Sequence, residues 1–124
     1  MSAKIKLGWS QKDITPRGTV ALRGQFNLRL ATRIHDPLTL TALALESEGD
    51  HAIIVSLDSC GVDVEVLAGT RAALAERLPQ VDPRKLIVSA THTHTAPFGG
   101  DSLGLQKDAD YEEAIRARYP DYLT

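Results

Sequence analysis

The order of apolar and polar positions along the chain predicts four β-strands and one long helix. Over residues 4–9, apolar side chains alternate with polar residues or glycine, which is typical of a strand. Residues 38–46 are apolar or small on both faces, and residues 52–57 are rich in β-branched side chains. Gly49 lies between these two segments, which together predict an antiparallel β-hairpin.

A helix is predicted over residues 63–78, because apolar side chains recur there on one side at the helical period. Asp63 is placed to cap its first turn, and Pro79 ends it. Residues 85–90 form the last apolar strand. The apolar stripe consists of Val64, Leu67, Ala68, Leu74, Ala75 and Leu78.

A strand, a helix and a strand in this order predict a right-handed crossover between parallel strands. The predicted fold class is therefore α/β, a mixed β-sheet with a β-hairpin and a right-handed βαβ crossover, forming part of a domain. Residues 11–18 are expected to form a loop shaped by Pro16 and Gly18, and residues 23–33 to be irregular. A short helix is expected over 110–118.

Composition narrows the class of function. The 124 residues are 43% hydrophobic and 24% charged, as in ordinary globular domains. A net charge of −2 with scattered basic residues disfavours nucleic-acid binding. Neither a signal-peptide pattern nor a membrane-spanning apolar run is seen, which favours a cytoplasmic location.

The two strands of the predicted parallel pair, residues 52–57 and 85–90, end at the edge of the sheet where a ligand site is expected. Asp58 follows one strand and Thr91 the other, so both emerge at the same carboxyl edge of the sheet. Ligand crevices of open α/β sheets form outside that edge.

His92 and His94 follow Thr91 directly. In an extended segment, residues two apart project to the same side, so both imidazoles are expected to face one crevice. Neutral imidazole nitrogens suit Zn²⁺. The alternative is that both histidines are polar loop residues.

Two histidines are too few for a catalytic zinc site, which normally has three protein ligands and one open position. Asp58 is the internal candidate for a third ligand, or for an acceptor that orients an imidazole. His35 and Asp36 precede the first hairpin strand and are candidates for the same edge. The alternative for each is a structural role in a turn.

Cys60 is the only cysteine, so an internal disulfide is excluded. Its position after Asp58-Ser59 allows a thiol nucleophile, but a small buried hydrophobe is the favoured interpretation. No glycine-rich phosphate loop is present, so nucleotide binding has little support.

Several segments together resemble the amino-terminal region of the neutral/alkaline (non-lysosomal) ceramidase family, in order and spacing, up to about Gly100. The family motif has Ser-Gly where this chain has Thr95-Ala96. The matching segments are Gly8-Trp9-Ser10, Asp13-Ile14-Thr15-Pro16, Gly24, Ile34-His35-Asp36-Pro37, Val55-Ser56-Leu57-Asp58 and Val88-Ser89-Ala90-Thr91-His92-Thr93-His94-Thr95-Ala96-Pro97.

The resemblance implies a zinc amidase that splits an N-acyl sphingoid base into fatty acid and amine. It implies that His92 is a zinc ligand and that His94 contacts the scissile amide or the product carboxylate. The family's other ligands, a further His, a Glu and a Tyr, lie far beyond residue 124. Residues 1–124 would then be the amino-terminal portion of a truncated catalytic domain, which we expect to be inactive alone.

Two alternatives stay open at this point. Instead of a zinc amidase, the chain could be a module that binds a metal or small ligand without catalysis. The other alternative is a fragment without function. A lipid or another N-acyl amine is the expected small-molecule partner of the enzyme.

Overall fold

The structure is a computed structural model that describes residues 4–25 and 29–97. The predicted helix over 110–118 lies outside the described residues. The elements are β1 (Lys6–Asp13), β2 (Val20–Ala21), β3 (Leu30–Ala31), β4 (Thr39–Ser47), β5 (Asp50–Leu57), helix α1 (Val64–Arg77), a 3₁₀ turn (Pro83–Lys85) and β6 (Leu86–Ala90). Strands β1, β4, β5 and β6 form a four-stranded sheet in that spatial order, and β2 pairs with β3 separately.

The sheet is mixed, as predicted. Strands β4 and β5 form the antiparallel hairpin, and β6 returns parallel to β5 after helix α1. Strand β1 pairs antiparallel with β4 and continues to Asp13, opposite Thr39. The predicted strand at residues 4–9 was therefore too short, because β4 offers backbone partners well into the segment that was expected to be a loop.

The two faces of the sheet differ in coverage. Val55, Leu57 and Leu86 share one face and are buried. The Arg71 guanidinium of α1 donates to the Leu86 carbonyl at 3.2 Å, so the helix lies against this part of the sheet. On the other face an exposed apolar row crosses all four strands in register. It consists of Trp9, Leu43, Ile54 and Ile87.

Helix α1 departs from two sequence expectations. Asp63 occupies the N-cap position but makes no side-chain cap bond. Its carboxylate instead accepts a charge-assisted bond from Arg23, whose Nη1 lies 3.2 Å from Oδ1. The half-buried helix positions include Val66 and Thr70, outside the predicted stripe.

Only part of that predicted stripe is covered. Leu67 and Leu74 are half-buried, whereas the exposed members are Val64, Ala68, Ala75 and Leu78. Contacts such as that of Arg71 set the rotation of the helix about its axis, and helical spacing alone does not record it. No helix among residues 4–25 and 29–97 has the length and apolar character needed to cross a membrane.

The turn before β6 is tied to the far end of the hairpin. The Asp82 carboxylate accepts from the Arg84 backbone N–H at 2.9 Å and from the Arg84 guanidinium at 2.8 Å. The Asp82 N–H donates to Nε2 of His51 at 2.9 Å. This bond accompanies the half-burial of His51.

Leu86 and Ile87 provide a matched test of the two sheet faces. Leu86 is 3% exposed and Ile87 is 55% exposed. We expect Leu86→Ala to lower the free energy of unfolding by about 2–5 kcal/mol, because it leaves a cavity under α1. Ile87→Ala should change it by at most about 0.5 kcal/mol. Urea unfolding measures both, and equal losses would contradict this assignment of faces.

The Asp82–Arg84 contact predicts a pH dependence. The hydrogen bonds from the Arg84 side chain and backbone lower the pKa of Asp82 from 3.8 to about 2. Since the folded-state pKa is depressed, the carboxylate stabilises the fold above pH 3.8, and this contribution is lost as the pH falls toward 2. In Arg84→Gln the Asp82 midpoint should move back toward 3.8, as followed by carboxyl NMR titration. An unchanged midpoint would show that the Arg84 guanidinium is not the main cause.

Candidate functional site

The carboxyl ends of β5 and β6 meet at one edge of the sheet, as the sequence predicted. The Thr91 N–H donates to the Leu57 carbonyl at 3.0 Å, and the Asp58 N–H donates to the Thr39 carbonyl at 2.9 Å. The chain segments that follow Leu57 and Ala90 therefore leave the sheet side by side.

His92 and His94 converge at this edge. Their Nε2 atoms lie 3.3 Å apart, and the two rings meet edge-on with centroids 4.8 Å apart. The expected backbone geometry was wrong, however. His92 has a φ of 62°, in the left-handed region, and the chain bends over 94–96 instead of continuing as an extended strand. The rings meet because the backbone turns, and strand alternation is not the reason.

The His92 ring is oriented by a backbone acceptor. Its Nδ1 lies 2.7 Å from the Cys60 carbonyl oxygen. A carbonyl oxygen only accepts, so Nδ1 carries a proton, and in a neutral ring the lone pair of Nε2 then faces His94. The left-handed conformation costs a residue with a Cβ roughly 1–2 kcal/mol. The bond to Cys60 offsets part of this cost and is the kind of contact that orients metal-binding histidines.

Cys60 is the third donor at this edge. Its half-buried Sγ lies 3.8 Å from Nδ1 of His92. One donor atom from each of Cys60, His92 and His94 lies within 4.8 Å of the other two. From the sequence, Cys60 was expected to be a small buried side chain or a nucleophile, and its approach to the two histidines was not predicted. The signal was available, because Cys60 follows the end of β5 just as His92 follows the end of β6.

Gly24 leaves the space that the His94 ring occupies. A Cβ on Gly24 would lie 2.6 Å from Cγ and Nδ1 of His94, and the φ of Gly24 is +103°. Two further bonds hold the histidine segment. The Arg29 guanidinium donates to the His94 carbonyl, and the Arg23 N–H donates to the Ala96 carbonyl at 2.9 Å. The segment around β2 and β3 is thus the support for His94.

Arg23 also connects this support to the segment after Cys60. Its guanidinium pairs with Asp63, and the two side chains are only 15% and 11% exposed. The same guanidinium lies beside Gly61. Because partly buried ion pairs are screened less by water, this contact holds the Cys60 and His94 sides of the site together.

Asp58, His35 and Asp36 lie in a cleft of about 530 Å³ at the same edge. The cleft brings these three residues together beside the histidine segment. Thr93 and Thr95 also line the cleft, whereas His92 and His94 do not. The histidine segment therefore presents its threonines to the cleft and its imidazoles to Cys60 and Gly24.

The three other candidates, Asp58, His35 and Asp36, have hydrogen-bond partners other than the two histidine rings. Oδ2 of Asp58 accepts from the Thr39 N–H at 2.8 Å and from the Thr39 hydroxyl at 2.9 Å. Nδ1 of His35 lies 2.8 Å from Oδ2 of Asp36, and both side chains are exposed. Among the described residues, the acceptor that orients His92 is the Cys60 carbonyl and not Asp58.

His92 fits the role of a zinc ligand. The contact of its Nδ1 with the Cys60 carbonyl leaves Nε2 as the nitrogen available for a cation. Nε2 of His94 lies 3.3 Å from this nitrogen, so His94 is within reach of a group bound to the same cation.

Comparison with known proteins gives a structural likeness only. Neither a family model nor a curated protein matches the chain. Neutral ceramidase from Pseudomonas aeruginosa has a TM-score of 0.73 over 80% of this chain, at 23% identity. A ceramidase complexed with C2 has a TM-score of 0.71 over 79% of this chain, at 25% identity.

The chain spans 16% of the length of each of these two structures. At this level of identity the likeness is one of fold. The described residues therefore have a ceramidase-like fold, with a cysteine and two histidines gathered at the carboxyl edge of its sheet.

Proposed function

We propose that this chain is the amino-terminal portion of a zinc-dependent amide hydrolase of the neutral ceramidase type. Its substrates are N-acyl sphingoid, ceramide-like amides, which it splits into fatty acid and amine. The observation that carries the proposal is the His92–His94 pair, with Nε2 atoms 3.3 Å apart on a fold shared with ceramidases.

In this proposal His92 is a zinc ligand through Nε2. The bond from Nδ1 to the Cys60 carbonyl supports the assignment, because it sets both the tautomer and the direction of the free lone pair. Zinc at such a site activates water and polarises the amide carbonyl. The sequence resemblance implies that a further His, a Glu and a Tyr from outside the 124 residues complete the ligand set.

His94 is assigned to the scissile amide or the product carboxylate. An imidazole beside the metal ligand is placed to hydrogen-bond the reacting group with one ring nitrogen. Gly24 and Arg29 hold the ring and its backbone in place. That support matters because small displacements of a positioning group are costly to the rate.

A non-catalytic metal-binding module is the second candidate. It is favoured by the three donors of Cys60, His92 and His94, which all come from this chain. Hydrolysis of a ceramide by the protein purified from its natural source separates the two candidates, since a binding module gives no turnover.

The first prediction concerns zinc content. The protein purified from its source should hold about one zinc ion, and His92→Ala should remove it because the oriented Nε2 is lost. Elemental analysis measures the ratio. His51→Gln is the matched control, since His51 lies at the far end of the hairpin and should leave zinc unchanged. Full zinc occupancy in His92→Ala would reject the assignment.

A second prediction concerns the space that Gly24 provides. In Gly24→Ala the new Cβ would overlap the His94 ring at a φ of +103°, so the ring must move. In the full-length protein we expect a loss of about 1–3 kcal/mol in unfolding free energy and a fall in amide turnover on the order of 100-fold. Gly8→Ala is the control, because no atom lies within 4 Å of its added Cβ. Equal activity of the two variants would contradict the role of Gly24.

A further inference from the structure

Arg23 lies between the two segments that carry the candidate site. Its backbone N–H donates to the Ala96 carbonyl at 2.9 Å. Its carbonyl accepts from the Arg29 guanidinium at 3.3 Å, and the same Arg29 nitrogen donates to the His94 carbonyl. The backbone of Arg23 is therefore joined to the histidine segment, independently of its side chain.

The side chain of Arg23 extends to the other segment. Its Nη1 lies 3.2 Å and 3.4 Å from the two carboxylate oxygens of Asp63. Three atoms of the guanidinium also lie 3.7–3.8 Å from the position that a Cβ on Gly61 would take. The guanidinium thus lies against the side of Gly61 where other residues carry a Cβ.

Gly61 is directly connected to the group that orients His92. The Cys60 carbonyl belongs to the same planar peptide unit as the nitrogen and Cα of Gly61. A contact that restrains Gly61 therefore also restrains this carbonyl, which accepts from Nδ1 of His92 at 2.7 Å. Arg23 acts on the His92 ring through Gly61, and on His94 through its backbone.

The Asp63 carboxylate gives up a local role to make this contact. Asp63 is the N-cap residue of α1, where an aspartate side chain usually accepts from the first N–H groups of the helix, but it makes no such bond. Its oxygens accept from Arg23 instead, and the two side chains are only 15% and 11% exposed. Departure from a local preference is typical of functional or strained sites.

We propose that Arg23 is a positioning residue of the candidate zinc site. The proposal rests on the proposed function and goes beyond it, because Arg23 is neither a ligand nor a substrate-binding group in that function. The pair with Asp63 maintains the separation of 3.3 Å between the Nε2 atoms of His92 and His94. Loss of this pair should leave both histidines present but displaced.

Arg23→Lys in the full-length protein is the main test. Lysine keeps a positive charge opposite Asp63, but it lacks the flat guanidinium that lies against Gly61. We expect zinc affinity, measured by competition with a chelator, to fall by about 10–100-fold, as for other changes to groups that orient a ligand. The kcat for a ceramide, per bound zinc, should fall by up to about 100-fold with KM unchanged, because a displaced histidine is costly to the rate.

Arg84→Lys is the matched control, because it makes the same substitution in another Arg–Asp pair, at the far end of the hairpin. It should keep the zinc affinity and kcat of wild type. Asp63→Asn is a second variant, which retains an acceptor for Arg23 and a favourable N-cap residue but removes the negative charge. It should lower zinc affinity and kcat in the same direction as Arg23→Lys.

A purely structural role of the pair predicts a different result. Urea unfolding would then show less stable variants, whereas each zinc-loaded molecule would have the kcat and zinc affinity of wild type. That result, or wild-type behaviour of both variants, would overturn the proposal. Should Arg23→Lys not fold, Asp63→Asn alone decides between the two roles.

A measurement on the metal-free full-length protein separates this proposal from the proposed function. At alkaline pH the neutral His92 ring should carry its proton on Nδ1, which nitrogen NMR detects and His92→Ala assigns. Arg23→Lys should populate both tautomers, and an unchanged Nδ1 proton would overturn the role of Arg23. Absence of zinc and of ceramide turnover in the wild-type protein rejects the proposed function, and the tautomer then still decides whether Arg23 orients His92.

Discussion

The parallel pairing of β5 and β6 is the constraint on which the candidate site depends. It brings the residue after Leu57 and the residue after Ala90 to the same edge, where the Thr91 N–H still donates to the Leu57 carbonyl. Beyond that bond the two segments separate from the ladder. Past the end of the ladder, a side chain of one segment bonds to the backbone of the other, as Nδ1 of His92 does with the Cys60 carbonyl. The sheet thus supplies the position, and one hydrogen bond supplies the orientation.

The histidine segment has two chemically different faces because its backbone turns. Imidazoles lie toward Cys60 and Gly24, whereas Thr93 and Thr95 line the neighbouring cleft. A left-handed residue such as His92 is strained, and strain of this kind is retained where surrounding contacts hold it. Here the contacts come from both sides of the site. They are the Cys60 carbonyl on one side and the segment around β2 and β3 on the other.

The likeness to ceramidases and the local chemistry support one another without being the same evidence. The fold is shared with about a sixth of each ceramidase structure, and fold alone does not establish an activity. The metal-type donors come from this chain's own residues. An amidase and a metal-binding module make different demands on Cys60 and on His94, so the site chemistry, more than the fold, separates them.

Local patterns were enough to predict the mixed sheet, the hairpin, the helix and the edge at which His92 and His94 emerge. These features follow from local periodicity, which records which positions along a strand or helix are covered. The remaining features depend on long-range contacts. Contacts between Cys60 and His92, or between Gly24 and His94, join residues far apart in the chain, and no local pattern encodes them. The partner of the Asp58 carboxylate and the rotation of α1 depend on the same long-range packing.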